Sequence, residues 1–293
     1  METVVKNISD YRPVRNPIVA PLVVPETTKA LISNDDANSS FFRALEKSGL
    51  YLNRQQLEIL NCQGKSIVVN AIPGAGKSTC ITALIAYLTQ VKSVSHHNIL
   101  ALAYSKKAAL ELQEKILRLD PSNSVPVYTV HSLCLRILRS NGFNKHRLLT
   151  DDRTRVGLLK SSHFNSCTSP LQPNDLLTLN SFYLNTMTEA TNPQVRKVLE
   201  QYRKTKLQNK LLDFDDLLVE TLNVLEQNPR LLSLLQTRFK FVIVDEANDL
   251  NKVQYEIIKL LCAKSRFYAV ARRIHEPRLS HEIFSKRFKE TWI

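Results

Sequence analysis

An apolar run, Ile67-Val68-Val69, leads into Ala71-Ile72-Pro73-Gly74-Ala75-Gly76-Lys77-Ser78-Thr79, and a helical pattern from Thr79 to Val91 follows at once. No other feature of the chain restricts its fold as much. A strand that ends in a glycine-bearing turn and continues as a helix aims backbone N–H groups and the positive helix terminus at one point, which is a phosphate site. In that arrangement Lys77 reaches the β- and γ-phosphates of a nucleotide and the Ser78 hydroxyl holds Mg²⁺. Only six glycines occur in the whole chain, so two within three positions mark a local need for open backbone. Gly74, Ala75, Gly76, Lys77, Ser78 and Thr79 are the expected nucleotide-binding residues, although Ala71 stands where the strict pattern has glycine.

The alternation that begins there continues. Ile99 to Tyr104, Val125 to Val130, Phe239 to Val244 and Phe267 to Val270 read as short apolar strands, with helical stretches at Lys107 to Leu119, His131 to Arg139 and Val253 to Cys262 between them. Continuous apolar strands separated by helices mark a parallel sheet covered on both faces, hence an α/β fold. Between Asn144 and Arg238 no comparable strand appears, and apolar residues fall at helical spacing, as in Val195-Val198-Leu199-Tyr202. The expected organisation is a mobile leader over 1–45, an α/β domain over 46–143 and 239–270, a helical insertion over 144–238 and a basic tail over 271–293. Pro13, Pro17, Pro21 and Pro25 underlie the leader, because proline at every fourth position prevents a regular helix. The strand Phe267 to Val270 is expected at a sheet edge.

Composition narrows the function classes. At 293 residues the chain can bury an enzyme-sized core, and a formal net charge of +13 favours polyanionic partners. The five cysteines, Cys62, Cys80, Cys134, Cys167 and Cys262, are scattered, so neither a zinc site nor a disulfide framework is spelled out. No run of about 18 apolar residues occurs, and no secretory leader is recognisable, so a soluble intracellular protein is expected, with no membrane partner. Nuclear and cytoplasmic residence are not distinguished.

A second chemical feature lies far along the chain. Phe241-Val242-Ile243-Val244-Asp245-Glu246 is an apolar strand that ends in two carboxylates. Ligands of parallel sheets sit at the carboxyl ends of the strands, so Asp245 belongs beside Lys77 and Ser78. There Asp245 would complete the Mg²⁺ shell and Glu246 would orient and deprotonate an attacking water.

With these residues in view, the chain resembles the first RecA-like half of UvrD/Rep-type superfamily 1 DNA helicases, over about Leu52 to Val270. Leu52-Asn53-Arg54-Gln55-Gln56 is similar to the family's Q motif, which implies that Gln56 reads the adenine edge. Ala103-Tyr104-Ser105-Lys106-Lys107-Ala108-Ala109 resembles motif Ia, and Thr129-Val130-His131-Ser132-Leu133 resembles motif Ib. The resemblance implies that Tyr104, Ser105, Thr129 and His131 meet single-stranded DNA, with Tyr104 stacking on a base. Leu211-Leu212-Asp213-Phe214-Asp215-Asp216 is similar to the segment where the insertion returns to the sheet, and its carboxylates read as helix caps rather than as an acid/base pair.

The resemblance implies a P-loop NTPase with a RecA-like parallel sheet and a helical insertion. It also implies an ATP- and Mg²⁺-dependent motor that moves 3′ to 5′ on single-stranded DNA or DNA junctions. Lys77, Asp245 and Glu246 would be its catalytic residues. Two departures stand out: Asn248 replaces the usual glutamine, and Ala271-Arg272-Arg273 follows Val270 where Gly-Asp and a nearby glutamine of motif III are expected. The sequence therefore reads as the ATP-binding half alone, catalytically incomplete, with a second RecA-like half or a protein partner supplied elsewhere. Arginine fingers of the kind such a half contributes are worth on the order of 10³–10⁵ in rate. Residues 271–293 read either as an amphipathic basic helix or as unrelated sequence. The alternative to a motor is a non-catalytic nucleotide- and DNA-binding module; a small-molecule kinase would share Lys77 and Ser78 but has no use for the DNA-type motifs.

Overall fold

The computed structural model describes residues 3–8, 36–72, 74–164 and 171–272. Among these, the chain divides into two compact units. The first holds the described residues up to Thr129, Leu235–Leu250 and those from Cys262 onward; the second holds Val130–Leu234 and Asn251–Leu261.

The first unit is built on a six-stranded parallel sheet in the order β1-β2-β8-β7-β3-β4, where β1 is Thr3–Ile8, β2 Ser66–Ala71, β3 Ile99–Ala103, β4 Val127–Thr129, β7 Phe241–Val244 and β8 Arg266–Arg272. Every residue of β3 is buried, as are Val242, Ile243 and Val244 of β7. That pattern belongs to strands covered on both faces, and it explains why they read as unbroken apolar runs. Helices α1 (Asp36–Lys47), α2 (Arg54–Leu60), α3 (Lys77–Ala86) and α4 (Lys106–Leu119) belong to this unit. In α3 every residue from Cys80 to Ala86 is buried, and the helix ends in a single π turn, Tyr87–Val91.

Two expectations change here. Phe267 to Val270 is not an edge: β8 lies between β2 and β7, with Phe267, Tyr268, Ala269, Val270 and Ala271 all buried. Its uniformly apolar run is what an interior strand requires. The segment read as a mobile leader carries a strand and a helix at its two ends; β1 pairs with β2 from Thr3↔Ser66 to Ile8↔Ala71. Helix α1 forms because Phe41 and Leu45, four residues apart, both point into the core, where Phe41 meets the Tyr87 ring at 5.5 Å. The four prolines, Cys167 and the tail beyond Arg272 lie outside the described residues.

The second unit is mostly helical: α5 (Val130–Arg139), α6 (Asp152–Phe164), α7 (Pro173–Thr186), α8 (Pro193–Gln208), α9 (Phe214–Gln227), the start of α10 (Pro229–Arg238) and most of α11 (Lys252–Cys262). Leu159, Leu176, Val195, Val198 and Tyr202 form a core of their own. The region read as strand-free contains one short parallel pair, β5 (Arg147–Leu148) with β6 (Leu211–Leu212). Next to β6 lies a buried ionic cluster. Lys206 Nζ is 2.6 Å from both Asp213 Oδ2 and Asp216 Oδ2, with side-chain exposures of 1%, 1% and 4%. The ammonium also sits 4.3 Å over the Tyr202 ring. Asp213 caps α9 through a reciprocal box with Asp216, in keeping with the capping role expected from the sequence.

Candidate functional site

The glycine turn is shaped by two left-handed residues. Gly74 has φ +81° and Gly76 has φ +76°, conformations that cost a side-chain-bearing residue of order 1–3 kcal/mol. Gly76 is further confined, because a Cβ there would lie 2.8 Å from Gln56 Nε2, whereas one at Gly74 would meet nothing within 4 Å. Gly76→Ala should therefore lower stability by about 1–3 kcal/mol, and by more than Gly74→Ala, in urea unfolding of the two variants. An equal loss would show that the Gln56 approach is unimportant.

Gln56 is buried against this turn. Its Oε1 accepts from Asn53 N–H at 2.9 Å, closing a capping box on α2, and its Nε2 donates to the Ala75 carbonyl at 3.2 Å. The glutamine thus braces the loop. Each amide atom keeps capacity for one further bond, a donor and an acceptor, which is the pair that a purine N6/N7 edge needs.

Lys77 opens α3, followed by half-buried Ser78 and Thr79. Its ammonium approaches Glu246 Oε1 at 3.7 Å, with side-chain exposures of 11% and 16%. The two residues come from the carboxyl ends of β2 and β7, which β8 separates, so only long side chains can close the span. Asp245 extends the β7 ladder by donating its N–H to the Leu102 carbonyl at 2.8 Å, and its Oδ1 accepts from the Glu246 N–H at 2.9 Å. Glu246 adopts φ +50° and ψ +45°. A left-handed conformation at a residue with a full side chain is a local strain of the kind found at working sites. The nearby Cys80 is no nucleophile, because burial pushes its thiol up to about 12.

The donor set suits Mg²⁺. The Ser78 hydroxyl and the Asp245 carboxylate would offer hard oxygen ligands, and no group of three or more His, Cys, Asp or Glu able to hold a metal occurs among the described residues. Magnesium is commonly held by one or two carboxylates together with substrate phosphates rather than by an all-protein cage.

Of the residues expected on DNA, three share the sheet edge with this site. Tyr104 follows β3 and is 62% exposed, Ser105 caps α4 by accepting from Ala108 N–H at 3.1 Å, and Thr129 ends β4 opposite Ala103. The Ser105 hydroxyl proton remains available to donate. His131 belongs to the second unit, in the first turn of α5, where its ring meets Phe214 edge-on at 5.9 Å. Burial holds its imidazole below the ordinary histidine range, with the Asp215 charge opposing, so it offers an N–H rather than a full charge. Sequence reading missed the Lys206 cluster and the amides of Asn185 and Asn251, which no local pattern marks.

Residues 52–271 match the family model described as the UvrD/REP helicase N-terminal domain. Among curated proteins, the chain is 30% identical over 232 residues to the ATP-dependent DNA helicase PcrA of Staphylococcus aureus (strain Mu50 / ATCC 700699), covering 73% of this chain and 32% of that protein. It is 33% identical over 241 residues to the probable DNA helicase II homolog of Mycoplasma pneumoniae, covering 72% and 33%. The PcrA of Staphylococcus epidermidis is 31% identical over 233 residues. The chain spans about a third of the length of these relatives.

Proposed function

The chain belongs to the UvrD/REP helicase N-terminal domain family, and from that premise we propose that it is the ATP-binding part of an ATP-dependent DNA helicase moving 3′ to 5′ on single-stranded DNA. The observation that carries this reading is the approach of Lys77 and Glu246 across the carboxyl edge of the sheet, with Tyr104, Ser105 and Thr129 on the same edge. We assign residues 46–143 and 239–270 to the RecA-like domain and 144–238 to its helical insertion.

The Ala75 N–H is spent on the Ile72 carbonyl at 3.1 Å, so the backbone N–H groups of Gly74 and of Gly76 to Thr79 bind the phosphates, Lys77 transfers its contact from Glu246 to them, and Gln56 offers its remaining donor and acceptor to the base. Ser78 and Asp245 would hold Mg²⁺, which would supply charge neutralisation at the phosphates. Glu246 orients a water and takes its proton. Tyr104 stacks on a base, while Ser105, Thr129 and His131 donate to the DNA backbone.

A second reading, a nucleotide- and DNA-binding module without turnover, is favoured by β8 itself, which continues through Ala271 and Arg272 where the family's motif III would begin. ATP binding and hydrolysis by the purified chain, with and without single-stranded DNA, separate the two. Lys77→Ala should weaken ATP binding about 10- to 100-fold, the loss expected for a charge-assisted hydrogen bond of about 1.5–3 kcal/mol. Unchanged binding in that variant would remove the nucleotide site from this loop. DNA-stimulated turnover in the unmodified chain would eliminate the module reading.

No helix among the described residues is long and apolar enough to cross a membrane.

A further inference from the structure

Asn185, near the end of α7, has both ends of its carboxamide engaged. Its Nδ2 donates to Asp215 Oδ1 at 2.9 Å and to Ser181 Oγ at 3.2 Å, and its Oδ1 accepts from Asn251 Nδ2 at 2.7 Å. The direction of this chain is forced. Asn251 uses its own Oδ1 to accept from Gln254 N–H at 2.9 Å in the turn that opens α11, so only its NH₂ group can face Asn185. Asn185 must then present oxygen to it, which turns its NH₂ toward the Asp215 carboxylate. All of these residues lie in the second unit.

The two ends of the chain differ in what they adjoin. Asn251 follows Glu246 closely in sequence and is locked by a return bond, in which its N–H donates to Gln254 Oε1 at 3.1 Å. Asp215 lies in the first turn of α9, beside the Phe214 ring that meets His131. Asn248, which replaces the family's glutamine, spends an N–H on its neighbour Asp249 at 2.9 Å.

We propose that Asn185 is a positioning residue that joins the turn following the water-activating carboxylate to the corner holding His131, so that nucleotide occupancy and single-stranded DNA occupancy are coupled. The inference rests on the nucleotide and DNA assignments made above. Coupling of this kind is reciprocal in binding, and effects of about 5- to 150-fold are typical.

Near-isosteric substitutions cut the chain at chosen points. Asn251→Asp keeps the oxygen that caps α11 but sets a second oxygen against Asn185 Oδ1. Asn185→Asp keeps the acceptor for Asn251 and sets an oxygen against Asp215. The readout is the affinity of the full chain for N-methylanthraniloyl-ATP with Mg²⁺, with and without saturating oligo(dT). In the unmodified protein, DNA should change nucleotide affinity about fivefold or more. Each variant should bring that factor to within about twofold of unity, while its affinity for either ligand alone stays within about twofold of the original.

Circular dichroism checks folding, and a double variant guards against a trivial loss. Asn185→Asp/Asp215→Asn reverses the donor and acceptor between the two residues and should restore the coupling. Coupling that survives in both single variants, or fails to return in the double variant, overturns the proposal, as does an unmodified protein that binds both ligands independently. A chain that binds neither ligand fails the nucleotide and DNA assignments themselves, and this inference with them.

Discussion

Lys206→Met is expected to lower the free energy of unfolding by about 3–5 kcal/mol, the cost of leaving a buried charge without its partner. The lysine stands 2.6 Å from two carboxylates in a site almost closed to solvent, so neither Asp213 nor Asp216 can recover its hydration when the ammonium is removed. Methionine fills most of the volume, which isolates the charge from the packing.

The cost should also depend on pH. Burial pushes Asp216 up from 3.8 to about 7, against the pull of Lys206 and with a further push from Asp213. Between those values the folded state holds a proton that the unfolded chain has released, so native stability declines as pH rises through that interval. Burial acts on Asp213 in the same sense, but the Lys206 charge and hydrogen bonds outweigh it and hold that group below its ordinary value. Its stabilising contribution is present above the unfolded pKa and disappears as pH falls through the folded one. Without the ammonium the Arg155 charge is left acting on Asp213, and burial drives both carboxyls toward protonation, so the variant should lose more at pH 8 than at pH 5 in urea unfolding. Equal losses at the two pH values would mean that Lys206 acts by packing alone.

Glu246→Gln should slow hydrolysis of bound ATP by about 10²–10⁴, the range for a positioned general base. Binding should not weaken, because the substitution removes the carboxylate that stands 3.7 Å from the Lys77 ammonium and competes for it. Single-turnover hydrolysis with the enzyme in excess gives the rate even where multiple turnover is slow, and equilibrium binding of the same nucleotide gives the second quantity. An unchanged rate would move water activation to another residue. Weaker binding would mean that Glu246 supports the phosphate loop instead of competing for its lysine.

The parts of the molecule that were legible in the sequence are those whose signal is contiguous. Strand, glycine turn and Lys77-Ser78 occur in one stretch, and the β7 run ends in its two carboxylates, so each half of the site carries its own mark. Strand order has no such mark. The run at Phe267 to Val270 reports burial on both faces but not which strands flank it, and its interior position depends on pairings with β2 and β7. Thr3–Ile8 mixes Val4, Val5 and Ile8 with threonine, lysine and asparagine in no strict alternation; its strand depends on the register with β2. Lys206 looks like one more basic residue of α8, because the acids that bury it lie beyond the next turn. Asn185 and Asn251 meet across a separation of 66 residues, and asparagine is common enough that neither stands out.

The interior placement of β8 also orders events during synthesis. Lys77 and Glu246 are carried by strands that are not neighbours; the sheet between them closes only when Ser66 to Ala71 pair with Phe267 to Arg272. A chain emerging from the ribosome at about 5–20 residues per second therefore displays its phosphate loop long before the strand that locks it beside the carboxylates exists. Most of the second unit, Val130–Leu234, is translated in the interval and can gather its own core first. The proposed nucleotide site would thus be among the last features to mature, too late for a bound nucleotide to template early folding.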